Sequence, residues 1–264
     1  MIAEILGLAG VLAAAGFSAR WNWWRPTKVG IPVLMYHKIG HPPKESRQKS
    51  LWITPEVFDW QLNCLKARGY QTVTFADLRN KRLPAKPVIL TFDDGYLNAY
   101  TDALPVLKRN GMRGVFYIVS GAIGRDNFWH DPEKEHRIPM MSLENIKAMM
   151  AAGMEMGSHA LTHRRLAAMS LEEAEKEIVE SKKSLEKVLN TEMLSFAFPY
   201  GNGEDVAELV DMSFKAGYGW VLGIHGGIWS ANGAKAEPMP RIFVRGDDTK
   251  FDFYLQLRSG RSRL

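Results

Sequence analysis

Residues 88–95 read Val-Ile-Leu-Thr-Phe-Asp-Asp-Gly, an apolar run that passes without interruption into two adjacent carboxylates and a glycine. A strand lacking polar alternation is one covered on both faces, as in parallel sheets. The glycine permits a sharp turn directly afterwards. Successive strand side chains point to opposite sides, so Asp93 and Asp94 can serve one site only where the strand has already ended. At a strand terminus they converge and are free to take different roles. Taken alone, Asp-Gly is also ordinary turn and helix-cap chemistry.

Working outward, further β-rich runs fall at 31–36, 71–74, 87–92, 113–119, 154–157, 194–198, 219–224 and 241–244. Helical patterns lie between them. Thr54 caps a helix over 55–68, whose Phe58, Leu62 and Leu65 share a face and whose Gly69 occupies the stop position. Ser142 opens a segment ending at Gly153. Ser170 and Glu173 form a capping box for 171–189, with Ala174, Ile178, Leu185 and Leu189 along one side. Strands alternating with helices predict parallel βαβ units, hence an α/β barrel or open sheet. Reactive groups in such folds sit at the carboxyl ends of the strands. With no internal repeat or low-complexity linker, residues 26–264 read as one domain.

The chain has 264 residues, 46% of them hydrophobic, a single cysteine and a net charge of +5. That length buries roughly three-quarters of the unfolded surface without help from disulfides or metals. One cysteine excludes a disulfide framework and any cysteine-rich zinc module, and Cys64 reads as a buried structural thiol. The mild positive charge suits an anionic membrane surface or polymer. Nothing points to nucleic acid or to a protein partner.

The N-terminus differs in character. Residues 5–19 carry no charge, with Glu4 before them and Arg20, Arg25 and Lys28 after. Trp21, Trp23 and Trp24 resemble an interfacial belt. The run is slightly short for a hydrocarbon core unless residues 1–3 and the tryptophans extend it. Residues 1–25 are therefore expected to be a membrane anchor or signal segment, the anchor fitting the tryptophans better. A cleaved signal would want a basic start, which Met-Ile-Ala-Glu lacks. An apolar helix packed on the domain is the remaining reading.

A second chemical cluster lies at 157–163, Gly-Ser-His-Ala-Leu-Thr-His. Two histidines four apart lie on one face of a helical turn and can share a metal. Joined to an acidic pair from another strand end, two imidazoles and one carboxylate make three protein ligands and leave a position for water. The second acid then remains as a general base.

Thr91-Phe92-Asp93-Asp94-Gly95 together with Ser158-His159-Ala160-Leu161-Thr162-His163 resembles the first two motifs of the polysaccharide deacetylases, the NodB-homology or carbohydrate esterase family 4 group. The likeness runs from about residue 31 to 255. It implies a distorted (β/α) barrel, here preceded by the N-terminal hydrophobic helix. It also implies that Asp94, His159 and His163 bind Zn²⁺ or a similar divalent ion and that Asp93 is the base. Phe196-Ala197-Phe198-Pro199-Tyr200-Gly201 resembles the third motif, whose tyrosine N–H helps hold the oxyanion, a role that falls to Tyr200. The family has an arginine where this chain has Ala197. Arg241, at a late strand, is the candidate to orient Asp93 in its place; the alternative is a surface or interdomain salt bridge.

No late leucine-x-histidine motif supplies the general acid. Residues 33–37, Val-Leu-Met-Tyr-His, resemble instead the rearranged subgroup that deacetylates poly-N-acetylglucosamine, in which the acid-bearing strand comes first. His37 is then the acid. His225 reads as structural, and His41, His130 and His136 have no assigned role. Trp129 and Trp220 are candidates for a sugar-stacking wall, with core packing the plainer use.

The implied activity is metal-dependent removal of N-acetyl groups from an envelope polysaccharide. The alternatives are deacylation of a lipid-linked sugar at the membrane, or a glycan-binding pseudoenzyme. Localisation is expected at the membrane and cell envelope. The positive-inside rule places the domain in the cytoplasm, whereas the family usually works outside, so the side stays open.

Overall fold

The computed structural model describes residues 2–21, 23–230 and 237–263. In chain order, helix α1 (Ile2–Arg20) precedes β1 (Ile31–Tyr36), β2 (Lys38–Ile39), β3 (Trp52–Ile53), α2 (Pro55–Ala67), β4 (Gln71–Thr72) and α3 (Phe75–Arg79). Then come β5 (Pro87–Phe92), α4 (Leu104–Asn110), β6 (Val115–Ile118), α5 (Leu143–Ala151), β7 (Glu155–Ser158), α6 (Leu171–Leu189) and β8 (Ser195–Ala197). The chain closes with α7 (Ala207–Lys215), β9 (Trp220–Leu222), β10 (Ile228–Trp229), β11 (Ile242–Phe243) and α8 (Lys250–Ser259).

The main sheet has the order β10-β1-β5-β6-β7-β8-β9, parallel from β1 through β9, with β10 antiparallel on β1. Its register sets Leu34 beside Leu90 and Tyr36 beside Phe92. β4 pairs with the start of β5, and β11 runs parallel to β1. The sheet curls, because the segment leading into β11 touches its far edge. Met239 N donates to Val221 O at 2.7 Å, Gly223 N donates to Met239 O at 3.1 Å, and Ile242 pairs with Leu34. Residues 239–243 thus span from β9 to β1, and Arg241 sits between those two attachments.

The unbroken apolar strands are explained by where alternate side chains go. Val33, Ile89 and Val115 join one buried cluster with Tyr117, Leu222 and Met239. Their neighbours Leu34, Leu90 and Phe116 join a larger one beneath α2, α4, α5 and α6. Phe92 stacks on Phe116 with ring centroids 4.5 Å apart and on Tyr36 at 5.3 Å. Each such side chain contributes roughly 1.5–3 kcal/mol on burial. The predicted caps form: Thr54 Oγ1 accepts from Val57 N, and Ser142 and Ser170 close capping boxes with Asn145 and Glu173. Cys64 is buried, with the Arg68 guanidinium on its sulfur at 2.7 Å.

The N-terminal segment is helical. Residues 2–20 form a helix, but among the described residues no helix is long and apolar enough to cross a membrane. Trp21 packs against Phe17 and Phe251, and Trp23 donates to Ser18 Oγ. Arg20 at the end of α1 makes a two-bond ion pair with buried Asp252 of α8, at 2.9 and 3.1 Å.

Candidate active site

The carboxyl ends of β1, β5, β7 and β8 meet at one buried cluster. β5 ends at Phe92, and Asp94 then takes φ 74° and Gly95 φ 82°. This left-handed pair turns both carboxylates toward the same side. A side chain at Gly95 would also press on Ile118, 3.2 Å away. Of the six non-glycine residues with positive φ among those described, Asp94, Ala160, His163 and Tyr200 belong to this cluster. Backbone strain of this kind persists where the surroundings over-determine it, typically at functional sites.

Residues 159–163 are not the helical turn expected from the four-residue spacing. They form a loop in which Ala160 and His163 both have φ near +60°. The two imidazoles nevertheless converge. His159 Nε2 lies 3.2 Å and His163 Nε2 3.1 Å from Asp94 Oδ1, and all three residues are buried. Ligand atoms about 2.1 Å from a zinc-class ion, and tetrahedrally or slightly more tightly disposed, stand about 3–3.5 Å apart. The tautomer agrees with that use. His159 Nδ1 lies 2.8 Å from Ala197 O, a carbonyl that only accepts, so Nδ1 carries the hydrogen. In a neutral ring the Nε2 lone pair then faces a carboxylate oxygen, an arrangement that a cation between them relieves. The donor set of Asp94, His159 and His163 fits a divalent ion.

Asp93 is held separately. Arg241 Nη1 and Nη2 donate to its Oδ1 and Oδ2 at 2.6 and 2.8 Å, while Nε donates to Gly223 O and Nη1 reaches Thr91 Oγ1. Arg241 is fully buried. A bidentate guanidinium fixes the plane of the carboxylate as well as its charge. Burial alone would raise the Asp93 carboxyl, but Arg241, foremost among the opposing groups, together with His159 and His37 holds it below the usual carboxylate range. Burial likewise opposes ionisation of Asp94, and the His163 and His159 imidazoles beside it bring it well below that range.

His37, following β1, faces both aspartates across a cavity of about 380 Å³ that Tyr200 and His163 also line. Burial lowers its pKa, and the charges of Asp94 and Asp93 oppose that shift. Its Nδ1 is buried without a hydrogen-bond partner among the described residues. Tyr200, φ 59°, stands with its ring 4.6 Å from that of His163. All seven residues singled out in the sequence are therefore gathered here. The two tryptophans part company: Trp129 lies on His163 with centroids 4.3 Å apart, whereas Trp220 packs on Phe75 in the core.

Three residues of the surroundings escaped the sequence reading. Glu177 on α6 accepts from Leu161 N and Thr162 N at 3.0 and 2.7 Å and from Thr162 Oγ1 at 2.5 Å, clamping the loop between the two histidines. A signal existed, because Glu177 interrupts the apolar stripe of Ala174, Ile178 and Leu185. Lys38 is buried with its ammonium over the Tyr96 and Trp52 rings, and His130 lines the cavity. Neither has a local sequence pattern that marks it.

A curled, largely parallel sheet thus carries a buried carboxylate–imidazole cluster at the carboxyl ends of its strands. The polysaccharide deacetylase family matches residues 80–218, over half the chain, and the chain belongs to that family, in its NodB-homology, carbohydrate esterase family 4 branch. YxkH of Bacillus subtilis (strain 168) is 29% identical over 199 residues, covering 74% of this chain and 63% of that protein. The poly-beta-1,6-N-acetyl-D-glucosamine N-deacetylase of Staphylococcus aureus (strain MSSA476) is 24% identical over 185 residues, 64% of this chain and 61% of its own. The chain thus spans about three-fifths of the length of these relatives. Among solved structures, the Streptococcus pyogenes deacetylase PplD in complex with acetate superposes with a TM-score of 0.72 at 27% identity, covering 90% of this chain and all of that one.

Proposed function

We propose that the protein is a metal-dependent hydrolase that removes N-acetyl groups from N-acetylhexosamine units of a cell-envelope polysaccharide. The observation that carries this reading is the division of labour between adjacent acids, Asp94 against two imidazoles and Asp93 against Arg241. Asp94, His159 and His163 would hold the divalent ion, zinc being the best match to their donor set. When bound, such an ion supplies Lewis acidity to an acyl oxygen and acidity to water.

The remaining steps belong to the chain. Asp93 takes a proton from water as its oxygen bonds to the amide carbon. The Tyr200 N–H donates to the oxygen that becomes negative. His37 gives a proton to the nitrogen as the carbon–nitrogen bond breaks, leaving acetate and a free amino sugar. Arg241 keeps Asp93 ionised and oriented. The relatives' names support the substrate class. The test is acetate release from N-acetylglucosamine oligomers by the full chain, before and after chelation. Release abolished by chelator and restored by Zn²⁺ is expected; release that survives complete metal removal would overturn the reading.

Glu177 gives a second check. Glu177→Ala strips the loop of its acceptor, and metal affinity is expected to fall about 10- to 100-fold. Glu177→Gln can still accept the two N–H bonds and donate to Thr162, so it should stay near wild type. Equal metal affinity in the alanine variant and wild type, measured by competition with a chromophoric chelator, would show that the clamp does not position the ligands.

A further inference from the structure

Beyond Tyr200 the catalytic cavity opens into a groove of about 870 Å³, against about 380 Å³ for the cavity itself. The two share His163, Arg165 and Tyr200, so they are continuous. Phe128 and Trp129 supply an aromatic wall of the kind that stacks on the apolar face of a sugar ring. Opposite in character, Arg164, Arg165 and Lys176 also line the groove and are exposed.

The groove has two acids, and both are engaged by the protein. Glu177 accepts from Leu161 and Thr162 as described, and Glu173 accepts from Ser170 N and Oγ in the cap of α6. Glu173 also forms an exposed, loose ion pair with Arg164 at 3.7 Å, and exposed pairs of this kind hold each other weakly. The Arg165 guanidinium lies over the Tyr200 ring, 4.4 Å from its centroid, at the junction of groove and cavity. Arginine and lysine offer donors alone, so the ligand they suit is rich in acceptors and negatively charged. The hydroxyls of a neutral glycan can accept from these donors, but bonds to an ionised acceptor are roughly twice as strong, so an anionic ligand gains most from the three cations.

We propose that this groove binds the stretch of glycan beside the sugar being deacetylated, and that this stretch carries an anionic group, a phosphodiester or a carboxylate, seated among Arg164, Arg165 and Lys176. The inference rests on the deacetylase reading above and adds to it the charge of the substrate.

The experiment compares three oligosaccharides on the Zn²⁺-loaded full chain. One is a neutral N-acetylglucosamine tetramer, the second carries a phosphodiester on the neighbouring unit, and the third has a uronic acid there. Acetate release gives kcat/KM, and calorimetry gives Kd. One anionic oligosaccharide is expected to be favoured about tenfold or more in both, since hydrogen bonds to charged groups are the strong ones. Which one is favoured identifies the source of the anion. The preference should shrink with added salt, and the Arg164→Gln/Lys176→Gln double variant, with wild-type circular dichroism, should bring the ratio close to one.

Acetate release from all three with equal efficiency and equal Kd would overturn the anionic groove and leave the deacetylase reading standing. Absence of release from any, with tighter binding of an anionic oligosaccharide that the double variant loses, would overturn the deacetylase reading and keep the anion site. Neither release nor discrimination would sink both.

Discussion

An Asp93→Asn protein is expected to keep its metal and lose its turnover. The substitution preserves volume, so β5 and the turn at Asp94 and Gly95 should form as before. It removes the group that takes the water proton, and general-base contributions of this type amount to about 10²–10⁴ in rate. It also sets an amide N–H₂ against the Arg241 guanidinium, donor against donor, where two charge-assisted bonds of 2.6 and 2.8 Å stood before. The loss should therefore lie toward the upper end of that range and fall on kcat. Metal content should be unchanged, because Asp94, His159 and His163 are untouched. Asp94→Asn makes the contrast: a neutral amide in place of the carboxylate between two imidazoles should lower metal content and activity together. Metal analysis of both variants beside acetate release decides the matter. An Asp93→Asn protein with wild-type kcat, or one purified without metal when wild type retains it, would mean that the two acids do not divide the work in this way.

How much of this was legible depends on whether the determinant was local. The run 88–95 announces its own strand and its own turn, since a doubly covered strand must be apolar throughout and an acid pair before glycine must lie outside it. The caps at Thr54, Ser142 and Ser170 are equally local, and all three form. The geometry of 159–163 was not legible. A four-residue spacing reads as a helical face, yet the imidazoles converge through left-handed backbone at Ala160 and His163, and no side-chain pattern specifies that. Their position depends on Glu177, which lies fourteen residues beyond His163 and interrupts an otherwise apolar stripe. Strands β2, β3 and β10, two residues each, lie outside the β-rich runs of the sequence, whereas the equally short β4 and β11 fall within such runs at 71–74 and 241–244. The N-terminal run is a different case. Its apolar composition is local, whereas the ion pair of Arg20 with buried Asp252, 232 residues away, has no local mark.

Arg241 is where local reading and tertiary structure meet, and its replacement should have the largest effect on stability. The sequence offers an arginine between Pro240 and Ile242 in a strand-like run; only the bridging of residues 239–243 from β9 to β1 carries it to Asp93. Arg241→Met removes the counter-charge of a fully buried carboxylate and leaves Gly223 O without its Nε partner. Breaking a buried pair from one side costs about 3–5 kcal/mol, because the remaining charge stays desolvated. Asp93 would then be driven toward its neutral form, since burial alone raises its pKa and Arg241 is the main opposing charge. A protonated Asp93 cannot accept a proton, so activity should fall with stability. Arg241→Lys should recover part of the stability through its charge and little of the activity, because an ammonium cannot hold both carboxylate oxygens in one plane. Arg241→Met with Asp93→Asn should be more stable than Arg241→Met alone, because the stranded charge has gone, yet equally inactive. Denaturant melts of the four proteins, with kcat measured at a temperature where each is folded, separate these effects. If Arg241→Met unfolds at the wild-type midpoint, or if its folded fraction turns over at the wild-type rate, the guanidinium is neither the counter-charge nor the positioner of Asp93.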